Sequence, residues 1–66
     1  METKTFNTYH FGKVIVTNTG DTDQFGNKEF EMTAEDGGSF GYIYHNSIDD
    51  MTADDVAEQI DENLFG

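Results

Sequence analysis

Asp54, Glu58 and Glu62 stand at intervals of four, with Asp55 and Asp61 beside them and Asp49 and Asp50 just upstream. On an α-helix, side chains four apart are surface neighbours, with about 6 Å between them. That is near the separation of successive phosphates along a nucleic-acid strand. Between Ile48 and Gly66 the chain carries these seven acids and no base. A row of carboxylates at such spacing does electrostatic work: it presents a line of negative charge to any groove built from Lys and Arg.

Other residues capable of chemistry lack the company that chemistry needs. His10 and His45 are the only histidines, and there is no Cys. Two imidazoles without a third ligand do not read as a metal site or as a general base with an orienting partner. Ser39 and Ser47 have no nucleophile context, and "GGSFG" at 37–41 opens no helix, so it is not a phosphate loop. The paired aspartates are sequence neighbours, which do not face each other on a helix. The run 21–32, "DTDQFGNKEFEM", imitates a calcium loop through Asp21, Asp23 and Gly26. It puts Phe25 where an oxygen ligand belongs and Met32 where a bidentate Glu belongs. The sequence therefore predicts no enzyme, no cofactor and no metal centre.

The charge is segregated along the chain. Glu2, Asp21 and Asp23 stand against Lys4, Lys13 and Lys28 in the first 28 residues. The remaining eleven acids are Glu29, Glu31, Glu35, Asp36 and the seven named above, with no Lys or Arg after Lys28. The whole net charge of −11 thus lies in the second part. Such asymmetry points to an interaction surface, or else to a general acidic bias serving solubility or tolerance of salt. It opposes direct binding to nucleic acid or to anionic lipid, so the expected partner is the basic surface of another protein. The N-terminus has no apolar leader and no stretch is long enough to span a membrane. Absence of Cys fits a reducing compartment, and a cytoplasmic protein is expected.

The elements that must position these residues follow from the hydrophobic pattern. At 66 residues the chain is expected to form one acidic α+β domain over 1–66. Residues 6–18 are aromatic and β-branched and read as one strand, with Gly12 marking a bulge or bend that divides it. "TGDTDQFG" is a loop. "NKEFEMTAE" and "SFGYIYH" alternate as two further strands. A three-residue link of Asp36, Gly37 and Gly38 pairs Glu35 with Ser39 and Met32 with Tyr42. One face then holds Phe30, Met32, Ala34, Phe40, Tyr42 and Tyr44, and the other holds the glutamates. Tyr9, Phe11, Tyr42 and Tyr44 are assigned to core packing rather than base stacking. Thr52 begins a helix, with Asp55 closing a capping box and Met51 and Val56 as a hydrophobic staple. Ala53, Val56, Ala57, Ile60 and Leu64 form its apolar stripe. The expected architecture is a three-stranded antiparallel β-meander covered on one face by one C-terminal α-helix, β-β-β-α.

On that helix the acids cost stability. Asp61 and Glu62 sit at the negative end of the macrodipole, and Asp54–Glu58 and Glu58–Glu62 are like-charge pairs. Asp49, Asp50, Asp54, Asp55, Glu58, Asp61 and Glu62 are therefore the candidate partner-binding residues. The expected function is non-enzymatic inhibition of a nucleic-acid-binding protein (a nuclease, restriction factor or RNA polymerase) by nucleic-acid mimicry. In size and charge the chain resembles the small acidic inhibitors that bacteriophages make against such host proteins. The alternative is a small adaptor or assembly protein that binds its partner through its sheet edge and aromatics.

Overall fold

The computed structural model describes residues 2–66. Four strands follow one another: β1 (Thr3–Thr8), β2 (Gly12–Thr22), β3 (Lys28–Ala34) and β4 (Ser39–His45), and then the helix α1 (Ala53–Phe65). The strands form one antiparallel sheet in the order β1-β2-β3-β4. The α+β class and the C-terminal helix are as expected. The strand count is four rather than three, because the aromatic run folds back on itself at Tyr9–Phe11.

That turn is closed by a side chain. Thr8 Oγ1 donates to the Gly12 carbonyl at 2.8 Å and accepts from the Phe11 amide at 3.1 Å. Thr8 is buried although polar, and these bonds satisfy it. Gly12 takes φ +69°, where a side chain is disfavoured, and this lets the chain reverse. Gly12 is thus the start of β2, and the turn before it contains none of the residues that usually mark turns.

The β3–β4 hairpin corrects the expected register. Ala34 N donates to the Gly38 carbonyl at 2.7 Å, and Gly37 N donates to the Ala34 carbonyl at 3.0 Å. The link is of odd length, but it consists of Glu35, Asp36 and Gly37, with Gly37 at φ +94°. Further on, Thr33 pairs with Ser39 and Met32 with Gly41, so Phe40 has no counterpart on β3. This bulge turns the rest of β4 over by one residue. Tyr42 now lies opposite Glu31 and Tyr44 opposite Glu29, on the outer face, while Ile43 pairs with Phe30 and is buried. Ile43 replaces the two tyrosines in the core.

Phe6, Val14, Val16, Phe30, Met32 and Ile43 form the sheet's contribution to one hydrophobic cluster, and Ile48, Met51, Val56 and Ile60 close it from the other side. Phe11 and Phe40 pack edge to face against its margin, with ring centroids 5.7 Å apart. The helix starts as expected. Thr52 Oγ1 accepts from the Asp55 amide at 3.2 Å, and Asp55 Oδ2 accepts from the Thr52 amide at 3.0 Å. Met51 and Val56 are both buried, consistent with the staple. Leu64, the last member of the expected stripe, is half exposed.

Asn63 fixes the other end of α1. Its Nδ2 donates to the Phe40 carbonyl at 3.1 Å and the Tyr42 carbonyl at 3.3 Å, while its Oδ1 accepts from Gln59 Nε2 at 3.0 Å. Between those carbonyls lies Gly41 at φ +96°, where an added Cβ would stand 2.7 Å from Asn63 Nδ2. Gly41→Ala is expected to destabilise the fold by about 1–3 kcal/mol through backbone strain and this contact. Asn63→Ala is expected to cost about 1 kcal/mol for the lost hydrogen bonds. In urea unfolding the double variant should cost less than the sum of the two, since removing Asn63 leaves only the strain at Gly41.

Candidate functional site

At 100° per residue, Asp54, Glu58, Asp61 and Glu62 fall on the side of α1 opposite the buried Val56 and Ile60. All four are exposed. Asp49 and Asp50 are also exposed, in the turn that leads from β4 to the helix. Asp55 differs from the rest. Its carboxylate holds the Thr52 amide and stands 3.8 Å from His45 Nε2 at the end of β4. Asp55 is first a cap and second a boundary of the charged face.

The structure divides the sequence-predicted acids into groups. Asp55, Glu58 and Glu62 line one wall of a cleft of about 190 Å³ between α1 and β4, with Ile43, Tyr44, His45 and Gln59 completing it. Asp54 and Asp61 lie on the other margin of the charged face, turned away from β4. Asp49 and Asp50 extend the face beyond the helix N-terminus. Among the described residues the His45–Asp55 contact is the only pairing of a basic with an acidic side chain within 4.0 Å. The lysines do not relieve the acids: Lys4 Nζ stands 5.2 Å from the centre of the Phe6 ring instead.

The outer sheet face holds a second group that the expected register conceals. Glu29 Oε2 accepts from Tyr44 OH at 2.7 Å, and Glu29 Oε1 accepts from Thr19 Oγ1 at 2.7 Å. These bonds from Thr19 and Tyr44 hold the Glu29 carboxyl below its usual range, against a smaller upward effect of desolvation. The same bond and nearby acids push the Tyr44 phenol up. Tyr42 and Tyr44 remain about half exposed and Tyr9 almost wholly so, so the assignment to core packing holds only for Phe11, which is partly buried. The signal that reveals the exposed tyrosines is Gly41, the one glycine within the alternating run 39–45.

The calcium-loop imitation serves the β2–β3 turn. Asp23 Oδ1 accepts from the Phe25 amide at 2.8 Å and the Asn27 amide at 2.9 Å. Desolvation acts upward on the Asp23 carboxyl, but the bonds from Asn27, Phe25 and Gly26 together outweigh it and the net direction is down. Among the described residues no three His, Asp or Glu side chains converge as a metal site. His10 lies in the β1–β2 turn, edge-on to Tyr9, and not in a strand. No helix of the described residues is long and apolar enough to cross a membrane.

Because Glu29 is depressed in the folded state, its contribution is present above its unfolded value and is lost as pH falls through the folded one. Tyr44 is raised, so its share is present below its unfolded value and lost as pH rises through the folded one. Tyr44→Phe is expected to move the Glu29 carboxyl back up towards the ordinary glutamate range. NMR titration of the Glu29 side-chain carboxyl carbon in parent and variant measures this. No protein-family model, curated protein or solved structure matches this chain.

Proposed function

We propose that the protein is a non-catalytic binder whose acidic helix face occupies a basic groove on a nucleic-acid-binding protein and inhibits it by standing in for the phosphate backbone. One observation carries this reading: Asp54, Glu58, Asp61 and Glu62 form an exposed face, extended by Asp49 and Asp50, that no Lys or Arg neutralises. Its carboxylates are spaced along the helix as phosphates are spaced along a strand. Attraction of this kind is long-range and raises the association rate, and salt weakens it.

The energetic placement of the acids supports the same reading. Glu62 lies in the last turn, where a negative charge opposes the helix dipole, and four residues after Glu58. Replacing it by Lys would relieve both effects. Glu62→Lys is therefore expected to raise stability by about 0.5–1 kcal/mol while weakening partner binding. A surface retained only for solubility would show the first effect without the second.

The adaptor reading draws on Tyr42 and Tyr44, which lie half exposed on the outer sheet face. The two readings separate in one experiment. The tagged parent and a variant with Asp54→Lys, Glu58→Lys and Glu62→Lys are used to capture bacterial proteins, with and without added duplex DNA. Mimicry predicts a nucleic-acid-binding protein held by the parent, lost with the variant, displaced by DNA and weakened on the order of tenfold or more by raised salt. Equal capture by both forms, indifferent to DNA, moves the interface to the tyrosine face.

A further inference from the structure

The sheet has two edges, and only one is blocked. On β4 the outward carbonyls of Phe40 and Tyr42 are taken by Asn63. On β1 the geometry is different. Asn18 N donates to the Glu2 carbonyl at 2.9 Å, and the register pairs Lys4 with Val16 and Phe6 with Val14. Hydrogen-bonded pairs alternate along an antiparallel ladder, so Glu2, Lys4, Phe6 and Thr8 point their backbone groups at β2. Thr3, Thr5 and Asn7 point theirs away from the sheet. Their side chains are exposed, and β1 has neither Pro nor a bulge; its one charged side chain, Lys4, lies on the face of Phe6 and not in this outward row.

Charge decides what can add there. A strand from a strongly basic partner would be drawn to β3, β4 and α1, where the acids are. The β1–β2 half, by contrast, is neutral, with Lys4 on the edge strand itself. Two copies of a chain with net charge −11 repel less across this neutral half than across the acidic one. The helix agrees with this. Its Asn63 side packs on β4, so by the helical wheel the flank toward β1 carries Ala57 and the half-exposed Leu64, with Asp61 at its outer margin.

We infer that β1 is a self-association edge: two copies pair β1 with β1 antiparallel about a two-fold axis, making one continuous sheet. An axis at Thr5 pairs Thr5 with its own copy, Thr3 with Asn7 of the second copy, and Lys4 with Phe6 of the second copy. Each of the three outward pairs exchanges two backbone hydrogen bonds, and the Thr side chains meet on one face. The acidic helix margins facing β4 then lie at the two far ends of the assembly. This edge does not depend on the partner proposed for the helix.

The test is sedimentation equilibrium of the parent and of Thr5→Pro, which deletes an outward amide that the ladder does not use. The parent is expected to move from 7.4 kDa to twice that mass as concentration rises into the millimolar range. Association should strengthen with salt, as repulsion between acidic copies is screened. That is opposite in sign to the salt effect on the helix's partner, so failure of one idea is distinguishable from failure of the other. Thr5→Pro, with an unchanged far-UV spectrum, should dimerise at least about tenfold more weakly. If that variant fails to fold, amide exchange of the parent decides: slowing at Thr3, Thr5 and Asn7 with rising concentration supports the pairing. A parent that stays at 7.4 kDa, a folded Thr5→Pro that dimerises as well as the parent, or exchange at those amides indifferent to concentration overturns it.

Discussion

The burial of Val56 and Ile60 against the sheet sets the rotation of α1, on which the rest of the arrangement depends, and Asn63 ties the end of the helix to the bulge of β4. A four-stranded sheet has an apolar inner face that one helix must cover, and the helix has to be held in one rotation to do so. The burial of Val56 and Ile60 supplies that hold, and the paired bonds to Phe40 and Tyr42 add to it. These bonds also remove two free carbonyls from an edge strand, which is where unwanted pairing starts. Gly41 makes the close approach possible because it has no Cβ and tolerates φ +96°. With the rotation fixed, the acids at Asp54, Glu58, Asp61 and Glu62 have no choice but to face outward.

A domain of this size leaves little margin for unfavourable charge. Chains of about 60 residues bury only about 60% of their unfolded surface. The helix nonetheless keeps like charges four apart and acids in its last turn, while its favourable terms are concentrated at the N-terminus. The reciprocal Thr52–Asp55 cap and the Met51–Val56 staple are worth on the order of 1 kcal/mol or more. Asp54 and Asp55 add favourable dipole terms in the same turn. The first turn thus stabilises a helix whose later turns are electrostatically unfavourable. A sequence shaped for stability alone would place Lys at Asp61 or Glu62.

The helix was legible in the sequence because its cues are local and agree: a cap, a staple and a stripe between Met51 and Leu64. The charge asymmetry was equally plain, and the exposure of four of the five helical acids follows from the wheel. What stayed hidden depended on single residues acting at a distance. A threonine closing its own turn made two strands of a run that looks like one, since Tyr9, His10 and Phe11 carry no turn preference. A bulge at Phe40 reversed the faces of Tyr42 and Tyr44, since alternation in sequence is read correctly only where the ladder is regular. The Glu29–Tyr44–Thr19 bonds depend on the second of these irregularities, which brings Tyr44 to the outer face beside Glu29.

The link between charge order in the sequence and charge order in space is the topology. In a meander each strand lies beside its sequence neighbours, so chain order becomes position across the sheet. A neutral first half and an acidic second half then give a sheet with one neutral edge and one acidic side. A fold with crossover connections would have interleaved the two halves and mixed the charges. The helix completes the separation. It bridges the two edge strands, but its bonds to β4 turn Asp55, Glu58 and Glu62 to that side and Ala57 and Leu64 to β1. The β4 margin of the field, with Asp55, Glu58 and Glu62, and the β1 edge consequently lie on opposite sides of the molecule, and Asp54 and Asp61 lie between them.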